Sequence, residues 1–444
     1  MASEPSTGAS AGAPGLSRVL GLLEVTAGGV GIIIGAGIYV LIGEATATAG
    51  GGVWMAFALA ALLSVLTALS YVELASMFPS AAAEYEYARH AFPPWVAFLV
   101  GWGMILGLMV AAAAIALGFA RYLGLFLPLD ARLGAAGLIC LVSVIAASGV
   151  KRSARLTLLL SCVQVGGLLL VAAIGIPHLG QYDLLAVTSA QGVVSAAALV
   201  FFAFIGFDEV ITLAEETHDP TRTVPLALLL ALGVSTVLYM AVAVAVAGVS
   251  VLGADALGAS HRPLADVVGH VFGDANGGLM AVLAMVATTN TTLLVVTAAS
   301  RLVYGMAVQG SLPAGLAQVS AKRHTPVAAI AVVAIVAIAA TTLGNLAVVA
   351  SVTDFAVYIV FLVVNATVVV LRLRPPAGHT ARFRMPGAIG RVPVLPVLGL
   401  VAVLIMLSQL NPTALVIGSA VFGAGAVVAL VVSPKRVVDP RTGH

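Results

Sequence analysis

Hydrophobic residues run in long stretches, separated by short polar segments, over almost the whole chain. Most of these stretches reach the roughly 20 apolar residues that a helix needs to cross a bilayer. They cover approximately 19–43, 52–78, 94–122, 134–149, 156–177, 191–214, 224–252, 278–307, 325–342, 346–372, 392–410 and 413–433. The pattern predicts an all-α membrane protein with twelve transmembrane helices, whose even number puts both termini on the same side.

Glycine interrupts two of these stretches. The first contains Gly31 to Tyr39, with the sequence GIIIGAGIY, and the sixth contains Phe201 to Asp208, with the sequence FFAFIGFD. A helix broken within hydrocarbon leaves backbone N–H and C=O groups unpaired, which is tolerated where they line a cavity or bind a ligand. Gly31-xxx-Gly35 is also a helix-packing motif. Two breaks at corresponding places favour a binding site over packing alone.

The breaks also indicate an internal repeat, because five stretches run from the first broken helix to the second. This arrangement predicts two inverted repeats of five helices each, with broken helices 1 and 6. The predicted organisation is a cytoplasmic tail, a transport core of two repeats, two further helices and a second tail, at 1–17, 18–372 (repeats approximately 18–177 and 191–372), 373–433 and 434–444. The first tail is small and polar, which predicts disorder and not a signal peptide.

Composition and charge support a membrane protein. Hydrophobic residues make up 61% of the chain and charged residues 9%, against roughly 25% charged residues in a soluble domain. If the N-terminus is cytoplasmic, only Arg121, Arg132 and Arg262 of the 20 Lys and Arg residues face outward. This bias predicts a multi-pass plasma membrane protein with both termini in the cytoplasm. The net charge of +2 gives no indication of a nucleic-acid partner.

The two breaks expose complementary backbone groups. Gly35, Ala36 and Gly37 free the amides that begin the outer half-helix, where the positive end of the helix dipole suits a carboxylate. Phe202, Ala203 and Ile205 leave carbonyl oxygens that would accept hydrogen bonds from an ammonium group. A carboxylate site beside an amine site describes an α-amino acid. The predicted substrate site comprises Ile34, Gly35, Ala36, Gly37, Met104, Gly107, Phe202, Ala203, Phe204, Ile205 and Gly206.

Four segments resemble the signature segments of the amino acid/polyamine/organocation transporters. They are GIIIGAGIYV, LSYVELASMFPSAAAEYEYARHAF, FFAFIGFDEVITLAEETHDPTRTVP and TAASRLVYGMAVQGSLP. The third is especially similar to the cationic amino acid transporter branch and its bacterial relatives. The resemblance implies the leucine-transporter-type fold, alternating access and a substrate held at the two unwound helices. It also places Phe202 as an aromatic gate, for which core packing is the alternative interpretation.

The sequence argues against proton coupling through a lysine, because Gln164 stands where several bacterial relatives have a proton-coupling lysine. Lys151, Lys322 and Lys435 all lie in predicted loops, and a glutamine amide cannot titrate. Sodium coupling would need oxygen ligands from the eighth stretch, where Thr288, Thr289 and Asn290 begin a polar run. Such hydroxyls often bond to their own helix instead. Exchange or uniport, with Gln164 as a fixed strut, stays open.

Asp208 and Asp354 are carboxylates within predicted spans, where ionisable groups are functional candidates. Asp208 directly follows the second break and is predicted to face the inner half of the pathway. Asp354 lies about nine residues, or roughly 13 Å, into the tenth span from outside. This depth predicts a role at an extracellular gate.

The sequence favours a carrier of a neutral amino acid over other functions. Met104 and Gly107 would contribute to a fairly apolar pocket, although polyamines, organic cations and cationic amino acids remain alternative substrates. A channel is disfavoured because no filter such as TVGYG is present. A membrane enzyme would need Asp208 and Asp354 as paired catalytic groups. All eight histidines lie in predicted loops or tails, so no metal or cofactor is expected; the oligomeric state is not predicted.

Overall fold

The computed structural model describes most of the chain. The described residues are 21–78, 83–178, 183–217, 219–249, 260, 262–320, 323, 325–343, 345–375, 381 and 383–432. The predicted tails at 1–17 and 434–444 lie outside these residues, as do Lys322 and Lys435.

The described part of the chain is almost entirely helical. Its α-helices are α1 (Leu22–Ile33), α2 (Gly37–Ala49), α3 (Val53–Met77), α4 (Ala83–Ala91), α5 (Pro94–Leu123), α6 (Ala131–Ser148), α7 (Val150–Gly175), α8 (Ala190–Val200), α9 (Pro220–Val249), α10 (Pro263–Phe272), α11 (Asp274–Val308), α12 (Val327–Ala340), α13 (Leu346–Leu373), α14 (Val394–Ser408) and α15 (Pro412–Val432). Short 3-10 helices cover Ile176–His178, Phe201–Phe204, Phe207–Glu216 and Ala314–Ala317. One small antiparallel hairpin pairs β1 (Ala388–Ile389) with β2 (Val392–Pro393).

The helices confirm the predicted all-α membrane fold. Among the described residues, 9 helices are long and apolar enough to cross a membrane, and the bent pair α1 and α2 brings the number to 10. Helices α12 and α14 coincide with the ninth and eleventh predicted spans but are shorter than 18 residues. The count of twelve spans and the inverted repeat therefore stay predictions.

Several helix boundaries differ from the prediction. Helix α7 begins at Val150, so Lys151 lies in its first turn and not in a loop. Helices α4 and α10 lie between predicted spans. The hydrophobic pattern reports only which residues suit hydrocarbon, and a helix can continue beyond it into the polar interface.

The helices pack in two groups. Helices α1 and α3 pack on α9, and α2 packs on α8, so that both breaks belong to one group. Helix α5 packs on α6, α11, α12 and α13, which form the second group. Helix α7 contacts both groups through α9 and α11.

The outer surface of the bundle is apolar, whereas polar side chains lie inside it. Leu133, Val237 and Ile335 are each about two-thirds exposed, as expected of residues that face lipid. Gln164, Asn290 and Asp354 are fully buried. The candidate chemistry therefore lies within the bundle.

Candidate functional site

The first break separates α1 from α2 by three residues and bends the pair by 53°. Helix α1 ends at Ile33, and Ile34 leaves the helical conformation with ψ of 76°. Helix α2 begins at Gly37 with Ala36 as its N-cap. Within the described residues, the N–H groups of Gly37, Ile38 and Tyr39 have no hydrogen-bond acceptor. The positive end of α2 is thus available to an anion.

Three other helices hold the rest of this break. From α7, the side-chain amide of Gln164 donates a hydrogen bond to the Ile34 carbonyl. From α11, the Thr291 hydroxyl accepts a hydrogen bond from the Ala36 N–H at 3.0 Å. From α9, the Tyr239 hydroxyl lies 2.8 Å from the Ile33 carbonyl, to which it donates. The break is therefore a fixed feature of the packed bundle.

Gln164 is the centre of a neutral hydrogen-bond network. The Asn290 side-chain amide donates to the Gln164 Oε1 at 3.3 Å and to the Ser161 hydroxyl at 3.1 Å. The Tyr39 hydroxyl donates to the Gln164 backbone carbonyl at 2.5 Å. The glutamine thus joins α7 to both halves of the broken helix and to α11 without carrying a charge.

The second break lies between two 3-10 helices. Helix α8 ends at Val200, and Phe201–Phe204 continue as a 3-10 helix. Ile205 is extended, and Gly206 has a φ of +110°, a conformation that favours glycine. The Phe202 carbonyl accepts a hydrogen bond from the Ile205 N–H at 3.4 Å. The Ala203 carbonyl accepts one from Tyr239 at 2.9 Å.

The two breaks lie directly against each other. A Cβ atom added at Gly37 would lie 2.5 Å from the Ala203 Cα, and one added at Gly206 would lie 3.4 Å from the Ile32 side chain. Tyr239 bonds to carbonyls of both breaks, and its single proton is shared between them. The predicted amide site and the predicted carbonyl site are therefore neighbours.

The remaining predicted substrate residues are buried. Phe204 packs against Phe57 and Tyr239, with ring centroids 6.5 and 5.2 Å apart. Phe202 is 6% exposed and Met104 is 4% exposed. Gly107 faces α13, where an added Cβ would lie 3.2 Å from the Ala356 Cβ. It lines an apolar cavity of about 230 Å³ between α5, α12, α13 and α15.

The polar run on α11 uses its oxygens mainly within the protein. The Thr288 hydroxyl donates to the Ala284 carbonyl at 2.8 Å, and the Thr289 hydroxyl donates to the Met285 carbonyl at 2.7 Å. The residue of this run that contacts the first break is Thr291. The described residues contain no group of three or more His, Cys, Asp or Glu side chains that could hold a metal ion.

Asp208 belongs to a buried acidic cluster beyond the second break. Its neighbour is Glu84 of α4, whose Oε1 accepts a hydrogen bond from the Tyr71 hydroxyl at 3.2 Å. Burial, together with the nearby Asp208 carboxylate, raises the pKa of Glu84 to about 7. Phe207 packs its ring on Tyr71 at 5.8 Å, which fixes the start of the inner 3-10 helix beside the cluster.

Asp354 lies on α13, outside this cluster. It is fully buried, and neither oxygen of its carboxyl group has a hydrogen-bond partner among the described residues. One turn further along the helix, the Tyr358 hydroxyl donates to the Ala198 carbonyl of α8 at 3.1 Å. Asp354 thus lies on the face of α13 that is turned toward α8, the outer half of the second broken helix.

Sequence reasoning missed Tyr239 and Glu84, and it did not single out Thr291 from its run. A signal for Tyr239 was available, because tyrosines of membrane helices concentrate at the interfaces and this one lies in the middle of an apolar span. A hydroxyl at that depth needs an internal partner. Glu84 gave no such signal, since it lies in a charged segment between two spans.

Comparison with known proteins agrees with this geometry. The amino acid permease family matches residues 20–434. The chain is 32% identical to the branched-chain amino acid permease of Bacillus subtilis over 428 residues, which cover 91% of this chain and 90% of the relative. It is 31% identical to the methylthioribose transporter of Bacillus subtilis, over 86% of each chain.

A more distant relative is a plant protein, the vacuolar cationic amino acid transporter 4 of Arabidopsis thaliana. The identity is 29%, over 82% of this chain and 64% of the relative. The family match over residues 20–434 extends across both breaks and the helices that hold them. The chain therefore belongs to the amino acid permease family of the amino acid/polyamine/organocation superfamily, and it is a multi-pass membrane transporter and not an enzyme.

Proposed function

We propose that this protein carries a neutral amino acid across the plasma membrane by alternating access. The observation that carries the proposal is the contact between the two breaks, where Gly37 at the free amide end of α2 packs against Ala203, whose carbonyl is bonded by Tyr239. The free Gly37 amide would bind the substrate carboxylate, joined by the Gly35 and Ala36 amides, which otherwise donate to the Ile33 carbonyl and the Thr291 hydroxyl. The carbonyls of Phe202, Ala203 and Ile205 would receive the substrate ammonium group.

Tyr239 satisfies one of these carbonyls while no substrate is bound. Its hydroxyl donates to the Ala203 carbonyl, which is one of the acceptors proposed for the substrate ammonium. A carbonyl left unpaired inside the bundle would cost about 1 to 3 kcal/mol. Tyr239 therefore acts as a substitute donor, and the ammonium group takes its place when substrate binds.

The preference for a neutral side chain is supported by the residues around the breaks. Ile34, Phe202 and Phe204 are apolar and buried. One relative is named for branched-chain amino acids, and another is named for cationic amino acids. The contribution of Met104 and Gly107 to the same pocket stays a prediction, because Gly107 faces α13.

The neutral network around Gln164 favours exchange or uniport. The amide occupies the space beside the Ile34 carbonyl and already satisfies it. Thr288 and Thr289 direct their hydroxyls to carbonyls of their own helix, which makes them poor candidates for sodium ligands. With cytoplasmic termini, α4 and the acidic cluster of Glu84 and Asp208 lie on the inner side, and α10 lies outside.

The test is counterflow in proteoliposomes loaded with unlabelled substrate. Labelled leucine, isoleucine or valine should enter faster than into unloaded vesicles, and the uptake should saturate. Excess leucine should inhibit this uptake more than excess lysine, arginine or spermidine. Inhibition by spermidine alone would contradict an amino acid substrate, whereas inhibition by lysine and arginine would assign the protein to cationic amino acids. Uptake without saturation or counterflow would contradict a carrier.

A further inference from the structure

Asp354 is a buried acidic group that the proposed substrate site does not use. It is 0% exposed, and both of its carboxyl oxygens are buried without a hydrogen-bond partner among the described residues. Helix α13 begins at Leu346, so Asp354 lies about 12 Å along it at 1.5 Å per residue. With cytoplasmic termini, this position is in the outer half of the membrane.

Glu73, a second buried carboxylate, is paired with a cation, as buried carboxylates usually are. Glu73 on α3 accepts hydrogen bonds from Arg372 at 2.8 and 2.5 Å and from the Met385 N–H at 2.9 Å. Asp354 has no such compensation. An ionised carboxylate without a partner is far more costly to bury than a neutral acid, so a buried carboxyl group of this kind holds a proton.

No cation of the protein faces Asp354 within the described residues. On its own helix, the nearest titratable side chain is Tyr358, and Arg372 lies five turns away. Ala198 of α8 and Phe201, which contact Tyr358 on this face, are apolar. Helices α14 and α15 carry no charged residue. The charged or titratable side chains of α3, α4 and α5, namely Tyr71, Glu73, Glu84, Tyr85, Glu86, Tyr87, Arg89, His90, Arg121 and Tyr122, lie toward the ends of the bundle.

The space around Asp354 also favours a proton over a larger cation. The apolar cavity on α13 is lined by Val352 and Ala356, which point away from the face of Asp354 and Tyr358. On that face, Tyr358 packs on Phe201 with ring centroids 4.8 Å apart. Closed packing against α8 leaves room for a bound proton.

We propose that Asp354 is a proton-binding site of the outer gate, which takes a proton from the extracellular side whenever α8 and α13 close, with or without substrate. When the gate opens, water reaches the carboxyl group and the proton can leave. When the gate closes, the group must be neutral. The proton returns to the extracellular side from which it came. External acid therefore favours the closed state of the gate but does not drive accumulation of the substrate. This inference rests on the proposed function because it requires a carrier with an outer gate.

The test follows the opening of the gate with a thiol probe. The native Cys140 and Cys162 are exposed on the helix surface and are first replaced by alanine. Ser351→Cys then places a thiol one turn outside Asp354, at a site that is 5% exposed when the gate is closed. Labelling by a membrane-impermeant maleimide, corrected for the intrinsic pH dependence of the reagent with an exposed control thiol, reports the open fraction. One linked proton changes this fraction by up to about tenfold per pH unit.

The parent in this test is the Ser351→Cys protein that keeps Asp354. We expect its corrected labelling to increase several-fold as the external pH rises. The same thiol in an Asp354→Asn background should label at a low rate at every pH, because the amide imitates the protonated acid. Asp354→Glu should restore the pH dependence. An equal slope in the parent and in Asp354→Asn, or a parent without a slope, would overturn the inference. Loss of counterflow in the parent would instead contradict the proposed function, because the labelling needs no substrate.

Discussion

The two breaks differ in how their exposed backbone is held. The first forms hydrogen bonds with three other helices, through Gln164, Thr291 and Tyr239. The second depends on a local turn at Gly206 and on Tyr239. Tyr239 is the contact that both breaks share.

This difference separates a fixed half of the site from an adjustable one. The first break cannot change without losing several buried hydrogen bonds, so it presents a constant amide end of α2. The second break can exchange the Tyr239 hydroxyl for a substrate ammonium group at little cost, since one donor replaces another. We therefore expect substitutions at the first break to affect folding and transport together, and those at the second to affect mainly ligand binding.

The largest effect is expected where the two breaks touch. Gly37→Ala places a methyl group 2.5 Å from the Ala203 Cα, and the breaks must move apart to accept it. A displacement near 1 Å can reduce activity about 100-fold, and we expect counterflow to fall by this order. Gly233→Ala on α9 is the matched control, because an added Cβ there meets no atom within 4 Å. Equal activity of the two variants would contradict the contact.

The next largest effect is expected at the anchor of the first break. Gln164→Leu removes the donor to the Ile34 carbonyl and the acceptor of the Asn290 amide. Each unsatisfied buried group costs about 1 to 3 kcal/mol, so the melting temperature should fall and transport should decrease with it. Thr289→Val is the control, because among the described residues the Thr289 hydroxyl bonds only to Met285 of its own helix. If this control lost transport and Gln164→Leu did not, the strut assignment would be wrong.

A smaller effect is expected at the shared contact. Tyr239→Phe removes the donor to Ile33 and Ala203, so the free energy of unfolding of the substrate-free protein should fall by about 1 to 3 kcal/mol. Its melting temperature should fall accordingly. Substrate restores a donor at Ala203, and its stabilising shift should be larger than in the parent. Tyr358→Phe, which loses a bond to Ala198 alone, should leave this shift unchanged. A reduced shift in Tyr239→Phe would mean that the hydroxyl contacts the substrate instead.

The smallest effect concerns the acidic cluster beyond the second break. The folded protein holds the Glu84 proton more tightly than the unfolded chain, so this stabilisation is complete below the unfolded pKa and disappears as the pH rises through about 7. The melting temperature of the parent should therefore fall between about pH 5 and about pH 8 by more than that of Glu84→Gln. Glu86→Gln on the exposed side of the same helix is the control. A parallel fall in Glu84→Gln would assign the pH dependence to other groups.

Much of the fold could be predicted from the sequence, because the cost of burying charge and bare backbone in hydrocarbon is local. Apolar stretches predicted the membrane helices, and glycines within them predicted both breaks. The same pattern could not define α4 or α10, since helices outside the hydrocarbon region follow other constraints. It also could not establish whether α12 and α14 cross the membrane, as both are short.

The sequence by itself determined that the chain lies in a membrane and that two of its helices break at places where backbone groups lose their helical partners. Only the tertiary structure decided which side chains meet those groups. Tyr239 lies far along the chain from Ile33, yet it bonds to both breaks. Asp354 and Glu73 are both acidic residues within apolar stretches, but packing gives Glu73 an arginine partner and leaves Asp354 without one among the described residues. Partners of this kind depend on the crossing of distant helices, which no local pattern of residues records.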